Sequence, residues 1–306
     1  MPSVSRRPIV TAGVIALTLG AAAACGSSSS GGSPGGSTVS PATSAGTNAA
    51  AVAEVPAAIK SKGTLVVAAD ASYAPDEFLA ADGTTVQGMD ADLAQALGRE
   101  LGLKVTVKNV TFDAIIPGLV DGRYDLGMSS FTDTKAREQQ VNFVDYFSAG
   151  TSFFEKSAGG PAVTGLDSLC GLKVSVESGT TEEQDANKQS KTCTSAGKAA
   201  VDVESFSTQN EANLALSSGR ADVSMADSPV AAYQVKQSNG AFKLVGTSYG
   251  TAPYGIAVPK SDGTLDVAVK DALEALIADG SYGQILSKWG LTSGGITNPG
   301  LNGAIS

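Results

Sequence analysis

From residue 55 onward, short apolar runs alternate with amphipathic stretches, the rhythm of a parallel sheet whose strands alternate with covering helices. Residues 65–69 form an unbroken apolar run and read as a buried strand. Past Met89, apolar residues at Leu93, Ala94, Leu97 and Leu101 share one helical face that stops at Gly102, and residues 104–110 then alternate as a strand. A further helix begins at 115–119, with a strand at 125–128. Late in the chain, 266–276 and 283–289 again carry helical spacing. Trp289 is placed to anchor a terminal helix against a lobe and has no expected ligand role. The tail after Gly294, rich in Gly and Asn, is expected to fray.

The same pattern contains an internal echo. Leu119-x-x-Gly122-Arg123-x-Asp125-x-x-Met128 is repeated as Leu216-x-x-Gly219-Arg220-x-Asp222-x-x-Met225. The run at Leu65 followed by Asp70 is likewise paralleled by the run at Leu172 followed by Glu177. A period this long, seen twice, indicates two similar α/β lobes in tandem and not a solenoid. Ligands bind beyond the carboxyl ends of parallel strands. Two facing lobes would therefore bring Asp70, Ser129, Ser130 and Thr132 of the first against Glu177, Thr180, Thr181 and Asp227 of the second.

The first residues break this rhythm. Arg6 and Arg7 precede an apolar run from 9 to 24 that is too short to span a bilayer comfortably, and the run ends in Ala22-Ala23-Ala24-Cys25. Small residues before Cys25, with Gly26 and four serines after it, resemble the lipobox of bacterial lipoproteins. The expectation is a signal peptide over 1–24 and a lipid on Cys25 that holds the protein at the outer face of the cell membrane. Residues 25–54 are nearly all Ser, Gly, Ala, Thr and Pro and read as a flexible tether.

Composition narrows the chemistry. The chain carries 21 basic and 30 acidic residues, which argues against nucleic acid as a partner. Histidine is absent, removing the commonest general base and the commonest metal ligand, so no metal, cofactor or catalytic residue is expected. With Cys25 assigned to the anchor, Cys170 and Cys193 form an even pair in an exported domain and are read as a structural disulfide.

Several segments in order resemble the bacterial extracellular solute-binding proteins of polar amino-acid importers (family 3). They are Gly88-Met89-Asp90-Ala91-Asp92-Leu93, Ser129-Ser130-Phe131-Thr132-Asp133-Thr134-x-x-Arg137, Gly179-Thr180-Thr181, Gly219-Arg220-Ala221-Asp222 and Tyr254-Gly255-Ile256-Ala257-Val258. The resemblance runs from Gly63 to Gly290. It implies an α/β fold of the two-lobe, type II periplasmic-binding kind, with lobe 1 in 55–153, lobe 2 in 154–252, and a return to lobe 1 with C-terminal helices in 253–306. The chain would cross between lobes near 151–156 and 249–254 and close on its ligand by a hinge.

A buried amino-acid zwitterion needs donors for its carboxylate and an anion for its ammonium. Arg137 matches the family's carboxylate-binding arginine, with Ser130 and Thr132 as partners; the plain alternative is a surface arginine paired with Asp133 or Glu138. Thr180 and Thr181 could add donors at a helix N-terminus. Asp227 matches the position that accepts the ammonium, and in isolation reads equally as a helix cap. Tyr73 and Phe112 occupy the positions whose rings sandwich the ligand, and Asp70 and Ser129 complete the ligand-binding set. Asp76 and Glu77 stand where the family often has an aromatic, which is expected to add acidity near the cleft mouth and to favour a basic or amide ligand. The resemblance implies a monomer serving an ABC importer permease. Two other functions fit the same fold: a cyclohexadienyl or arogenate dehydratase with Glu177 as its acid, and an amino-acid-sensing signalling module.

Overall fold

The computed structural model describes residues 46–305; the expected leader, Cys25 and most of the expected tether lie outside the described residues. In chain order come α1 (Ala49–Glu54), α2 (Ala57–Lys62), β1 (Thr64–Ala69), β2 (Ser72–Tyr73), β3 (Glu77–Leu79), β4 (Val86–Gln87) and α3 (Met89–Leu101). β5 (Lys104–Asn109), α4 (Phe112–Val120), β6 (Leu126–Gly127), α5 (Lys135–Glu138) and β7 (Val141–Lys156) follow. Then come β8 (Lys173–Glu177), α6 (Thr181–Ser195), β9 (Asp202–Phe206), α7 (Gln209–Ser218), β10 (Val223–Asp227) and α8 (Ser228–Gln237). The last elements are β11 (Phe242–Pro259), α9 (Leu265–Ala278) and α10 (Ser281–Trp289).

The main sheet has the order β5-β1-β6-β11-β7-β10-β8-β9. Each half repeats one plan, with three parallel strands (β5-β1-β6 and β9-β8-β10) bordered by a long antiparallel strand. The long strands, β7 and β11, pair with each other across both halves. This is a two-lobe α/β arrangement, and the internal echo has a structural cause within it. Asp125 Oδ2 accepts the N–H of Val66 on β1 at 2.6 Å, and Asp222 Oδ2 accepts the N–H of Lys173 on β8 at 2.9 Å. The repeated aspartate pins the start of each half's central strand. The repeated glycines, Gly122 and Gly219, take the left-handed backbone (φ +70° and +80°) that lets each preceding helix end.

Apolar side chains on both faces of the sheet close the two lobes. In the first, α3 buries Leu93 and Leu97 against Leu65, Val67, Leu273 and Leu276, so helices from both ends of the chain share one core. Each such leucine contributes roughly 1.5–3 kcal/mol relative to exposure. In the second, Phe153, Val174, Val176 and Met225 pack beneath α6. The Cys170–Cys193 disulfide, with Cα atoms 5.6 Å apart, ties the turn before β8 to that helix. Closing its 23-residue separation restricts the unfolded chain by about 3 kcal/mol on the loop-entropy account.

Two expectations from the sequence give way here. The tether was expected to run to residue 54, yet α1 is folded: Asn48 caps it, Ala51 is fully buried, and the Asn48 N–H bonds the Glu100 carbonyl at 2.9 Å. Small apolar residues at 49–53 suffice to pack on lobe 1 when a capping asparagine precedes them. The tail after Gly294 does not fray. It lies along the edge of β7 that β11 leaves open, through bridges Phe147–Gly295 and Val144–Leu301 and the bonds Asp145 N–H to Gly300 O and Asn302 N–H to Phe143 O. Covering a bare strand edge satisfies backbone groups that would otherwise seek another chain. Trp289 does anchor α10, its Nε1 donating to Asp92 at 2.7 Å while its ring meets Phe78 edge-on.

Near this tail lie the buried carboxyls Asp133 and Asp145. Burial, with the neighbouring Asp145 and Glu138 charges, pushes Asp133 from 3.8 up to about 7. The folded state thus keeps a proton that the unfolded chain has released, so this group's contribution is fully present below about pH 4 and is lost as pH rises toward 7. Asp133→Asn is expected to raise the melting temperature by about 5 °C at pH 8 and by much less at pH 4. Equal shifts at both pH values would refute the assignment.

Candidate functional site

One narrow crevice between the lobes is bordered by all ten residues chosen from the sequence as ligand-binding, together with Glu177 and Glu182. The residues arrive at strand ends, as parallel-sheet geometry requires: Asp70 just beyond β1, Glu177 ending β8, and Asp227 ending β10.

The first lobe's wall rests on buried acids. Ser129 Oγ accepts the Asp70 N–H and donates to Glu77 Oε1, both at 2.9 Å. Ser130 holds a left-handed backbone (φ +51°), with its N–H on Asp90 Oδ2 at 3.1 Å and its hydroxyl on Asp76 Oδ2 at 3.0 Å. Tyr146 donates to Asp90 as well. Asp76 and Glu77 are fully buried, which corrects the expectation that they add charge at the cleft mouth. The short β2–β3 ladder pairs Tyr73 with Glu77 and folds the segment inward, where serine hydroxyls receive the carboxyls. Gly88 makes this approach feasible: at φ +133° it has no room for a Cβ against the Asp76 carbonyl. Burial raises Asp76 and Glu77 well above the carboxylate range, with the Asp90 charge adding to it, and raises Asp90 to about 6.

Arg137 is 8 % exposed, and among the described residues no carboxylate lies within ion-pair distance of it. The surface-pair alternative therefore fails, since Glu138 pairs with Lys135 at 3.0 Å. Thr134 caps α5 by accepting the Arg137 N–H. The guanidinium donates to Thr132 O at 2.8 Å and, across the crevice, to Gly179 O at 3.0 Å. Its carbon stands 5.2 Å from the Phe112 ring centre and 5.4 Å from that of Phe131, two rings stacked on each other at 4.5 Å. Two of five N–H donors are used in these bonds, so a carboxylate could still be received.

From the second lobe, Thr180 caps α6: its hydroxyl accepts the Glu183 N–H and donates to Glu177 O at 2.7 Å. Thr181 opens the helix and Glu182 follows, its Oε1 accepting from Thr151 on β7 at 2.6 Å. Asp227 stands at the cap position of α8 but makes no side-chain cap; its carboxylate instead accepts the Tyr73 hydroxyl at 3.0 Å, a bond between lobes. Burial raises Asp227 well above its usual range, with the Glu182 charge adding to it. Phe112, by contrast, also serves through its backbone, donating its N–H to Asp70 Oδ2 at 3.1 Å.

The crevice thus sets four acids, Asp70, Glu177, Glu182 and Asp227, around one arginine. Sequence reasoning missed Glu182; it brought Glu177 to the cleft but left it out of the ligand-binding set, giving it a role only as the acid of a dehydratase. Glu182 reads in sequence as an ordinary first-turn helix acid; its burial at 2 % exposed is the sign that it faces inward.

The model of bacterial extracellular solute-binding proteins, family 3, matches residues 65–292. The chain is 35 % identical over 246 residues to the arginine-binding protein ArgT of Corynebacterium glutamicum, covering 79 % of each chain. Among solved structures, an ancestral arginine-binding protein bound to arginine is 40 % identical, with a TM-score of 0.68, and the match covers 74 % of this chain and 98 % of that one. An ancestral amino-acid-binding protein described as a precursor of cyclohexadienyl dehydratase is 36 % identical, with a TM-score of 0.68 over 76 % of this chain and 97 % of that one. With its two-lobe sheet, its interlobe crevice and a family match spanning both lobes, the chain belongs to the bacterial extracellular solute-binding proteins, family 3.

Proposed function

We propose that this protein captures a basic amino acid, arginine foremost, outside the cytoplasm and delivers it to an ABC importer. The observation that carries the reading is the excess of carboxyls in the crevice, four against one arginine. A neutral zwitterion brings one positive group, which leaves most of that acidity uncompensated; a basic amino acid brings a second. Arg137 would take the α-carboxylate, Asp227 the α-ammonium, and the remaining acids the cationic end. Micromolar binding requires about 8 kcal/mol, which a buried zwitterion with aromatic contacts can supply.

The ligand would bridge Arg137 of lobe 1 and Asp227 of lobe 2, biasing an open–closed equilibrium toward the form a permease reads. The interlobe bonds from Tyr73 to Asp227 and from Arg137 to Gly179 support this, since they belong to a closed arrangement. In the same proposal residues 1–24 are the export leader, Cys25 carries the lipid, the folded part is a monomer of two lobes, and no reaction is catalysed. Among the described residues no helix is long and apolar enough to cross a membrane.

One observation favours a second reading. Burial raises the Glu177 carboxyl well above its usual range, as a dehydratase acid would need. Turnover of prephenate or arogenate by the purified chain would establish that reading, and it is expected to be absent.

Saturating L-arginine is expected to raise the melting temperature, by about 4 kcal/mol of added stability at a thousandfold excess over Kd, and Arg137→Ala to remove the shift while leaving the fold intact. No shift with any basic amino acid, in protein shown to be folded and free of ligand, would refute the cationic-ligand reading. Separately, Cys25→Ser should move the protein from the membrane fraction to the medium; retention on the membrane would refute the lipid anchor.

A further inference from the structure

Asp70 and Glu177 stand at equivalent ends of the two central strands, β1 and β8, and face each other across the crevice at 3 % and 1 % exposed. Both lie in one crevice, and among the described residues neither takes part in an ion pair. Two carboxyls buried in one crevice without a cation to pair them cannot both ionise without a large desolvation and repulsion cost, so one of them keeps a proton. The other groups around the pair agree. Asp70 meets the neutral donors of Ser72 and the Phe112 N–H, and the Glu77 carboxyl behind it is close enough to be raised by the Asp70 charge. Glu177 faces the carboxyls of Glu182 on α6 and Asp227 on β10, and its Oε1 has no hydrogen-bond partner. The Tyr73 hydroxyl is taken up by Asp227, and the one cation of the crevice, Arg137, is turned to two backbone carbonyls. Nothing positive among the described residues neutralises the pair.

Resting on the reading of a basic amino-acid ligand, we propose that Asp70 and Glu177 form a proton-for-cation exchange site: the pair holds one proton between the lobes, and the ligand's cationic end takes its place. The proton leaves to solvent as the guanidinium or ammonium enters, so both carboxylates become ionised around one positive charge. Glu177 is then the residue that sets preference by charge. A neutral isostere cannot displace the proton without leaving two facing carboxylates, so it binds the protonated pair.

The exchange predicts a pH dependence with a definite sign. Both carboxyls are raised from their ordinary values, chiefly by burial. Arginine affinity should therefore climb with pH by up to about tenfold per unit until the pair has lost its proton, whereas citrulline affinity should not follow it.

The test is calorimetry on the purified chain with L-arginine and its uncharged isostere L-citrulline, at about pH 6 in buffers of different ionisation enthalpy. Any proton released by Asp227 on meeting an α-ammonium is common to both ligands and cancels in the comparison. The expected result is about one proton more released with arginine than with citrulline. Glu177→Gln should abolish that difference and shift the arginine-to-citrulline preference at least about tenfold toward citrulline. Asp70→Asn should do the same and guards against one variant failing to fold; citrulline binding shows that each variant is intact. Arginine binding with no excess proton release, or an unchanged preference in both variants, overturns the exchange while leaving the arginine reading in place. Binding of citrulline or glutamine without arginine overturns the basic-ligand reading and the exchange with it.

Discussion

β7 and β11 lie antiparallel beside each other over almost their whole lengths, one pairing with the strands of the second lobe and the other with those of the first. The two lobes therefore cannot be placed independently: the ladder between these strands is continuous with both halves of the sheet. Its register slips between Val245 and Tyr249, between Tyr249 and Ala252, and between Tyr254 and Gly255, where bulges let the backbone change direction without abandoning its hydrogen bonds. Thr151–Glu155 already pair with β10, so the sheet changes lobes at about Ala149–Thr151, slightly earlier than the segment chosen from the sequence. Gly150 lies at this point, with the Tyr249 carbonyl where a side chain would go. A hinge built from paired strands bends at bulges and keeps the rest rigid.

This ladder also governs the site. Thr151 on β7 reaches Glu182 at the start of α6, and Asp227 sits opposite Thr151 in the sheet, so two crevice acids are held directly against the crossing strand. Movement at the hinge must move them relative to Asp70 and Arg137 on the other lobe. On the proposed mechanism, binding and closure would be coupled through these few hydrogen bonds, without any need for a dispersed pathway.

The cost of the arrangement is carboxyl burial. Asp76, Glu77 and Asp90 lie behind the binding wall, and Asp70, Glu177, Glu182 and Asp227 form the wall itself. The first group takes hydrogen bonds from Ser129, Ser130 and Tyr146, which lock the strained Ser130 backbone in place. One buried oxygen in each group, Asp76 Oδ1 and Glu177 Oε1, has no hydrogen-bond partner. Carboxyls that serine and tyrosine hydroxyls hold in place behind the crevice acids give a cation a fixed acidic wall to meet.

Much of this was legible in the sequence. Helix α3 occupies the 89–101 span that apolar spacing and Gly102 marked, β1 extends the 65–69 run by one residue, and the echo of Asp125 by Asp222 marks two halves with one plan. Such features are local, set by a repeat of 3.6 or 2 residues or by a capping residue, and so are written in the chain itself. The ten residues selected for the ligand do border one crevice, since strand ends in a parallel sheet face one side whatever the detail. What tertiary structure alone decided is how each polar group spends its bonds. Asp76 and Glu77 turn inward and not to the mouth, Glu182 is a crevice acid and not a helix-dipole residue, and the glycine-rich tail covers the free edge of β7. Burial and hydrogen bonding depend on partners 30 to 160 residues away in the chain, and no local pattern records which of several chemically equal partners will be nearest once the lobes have closed.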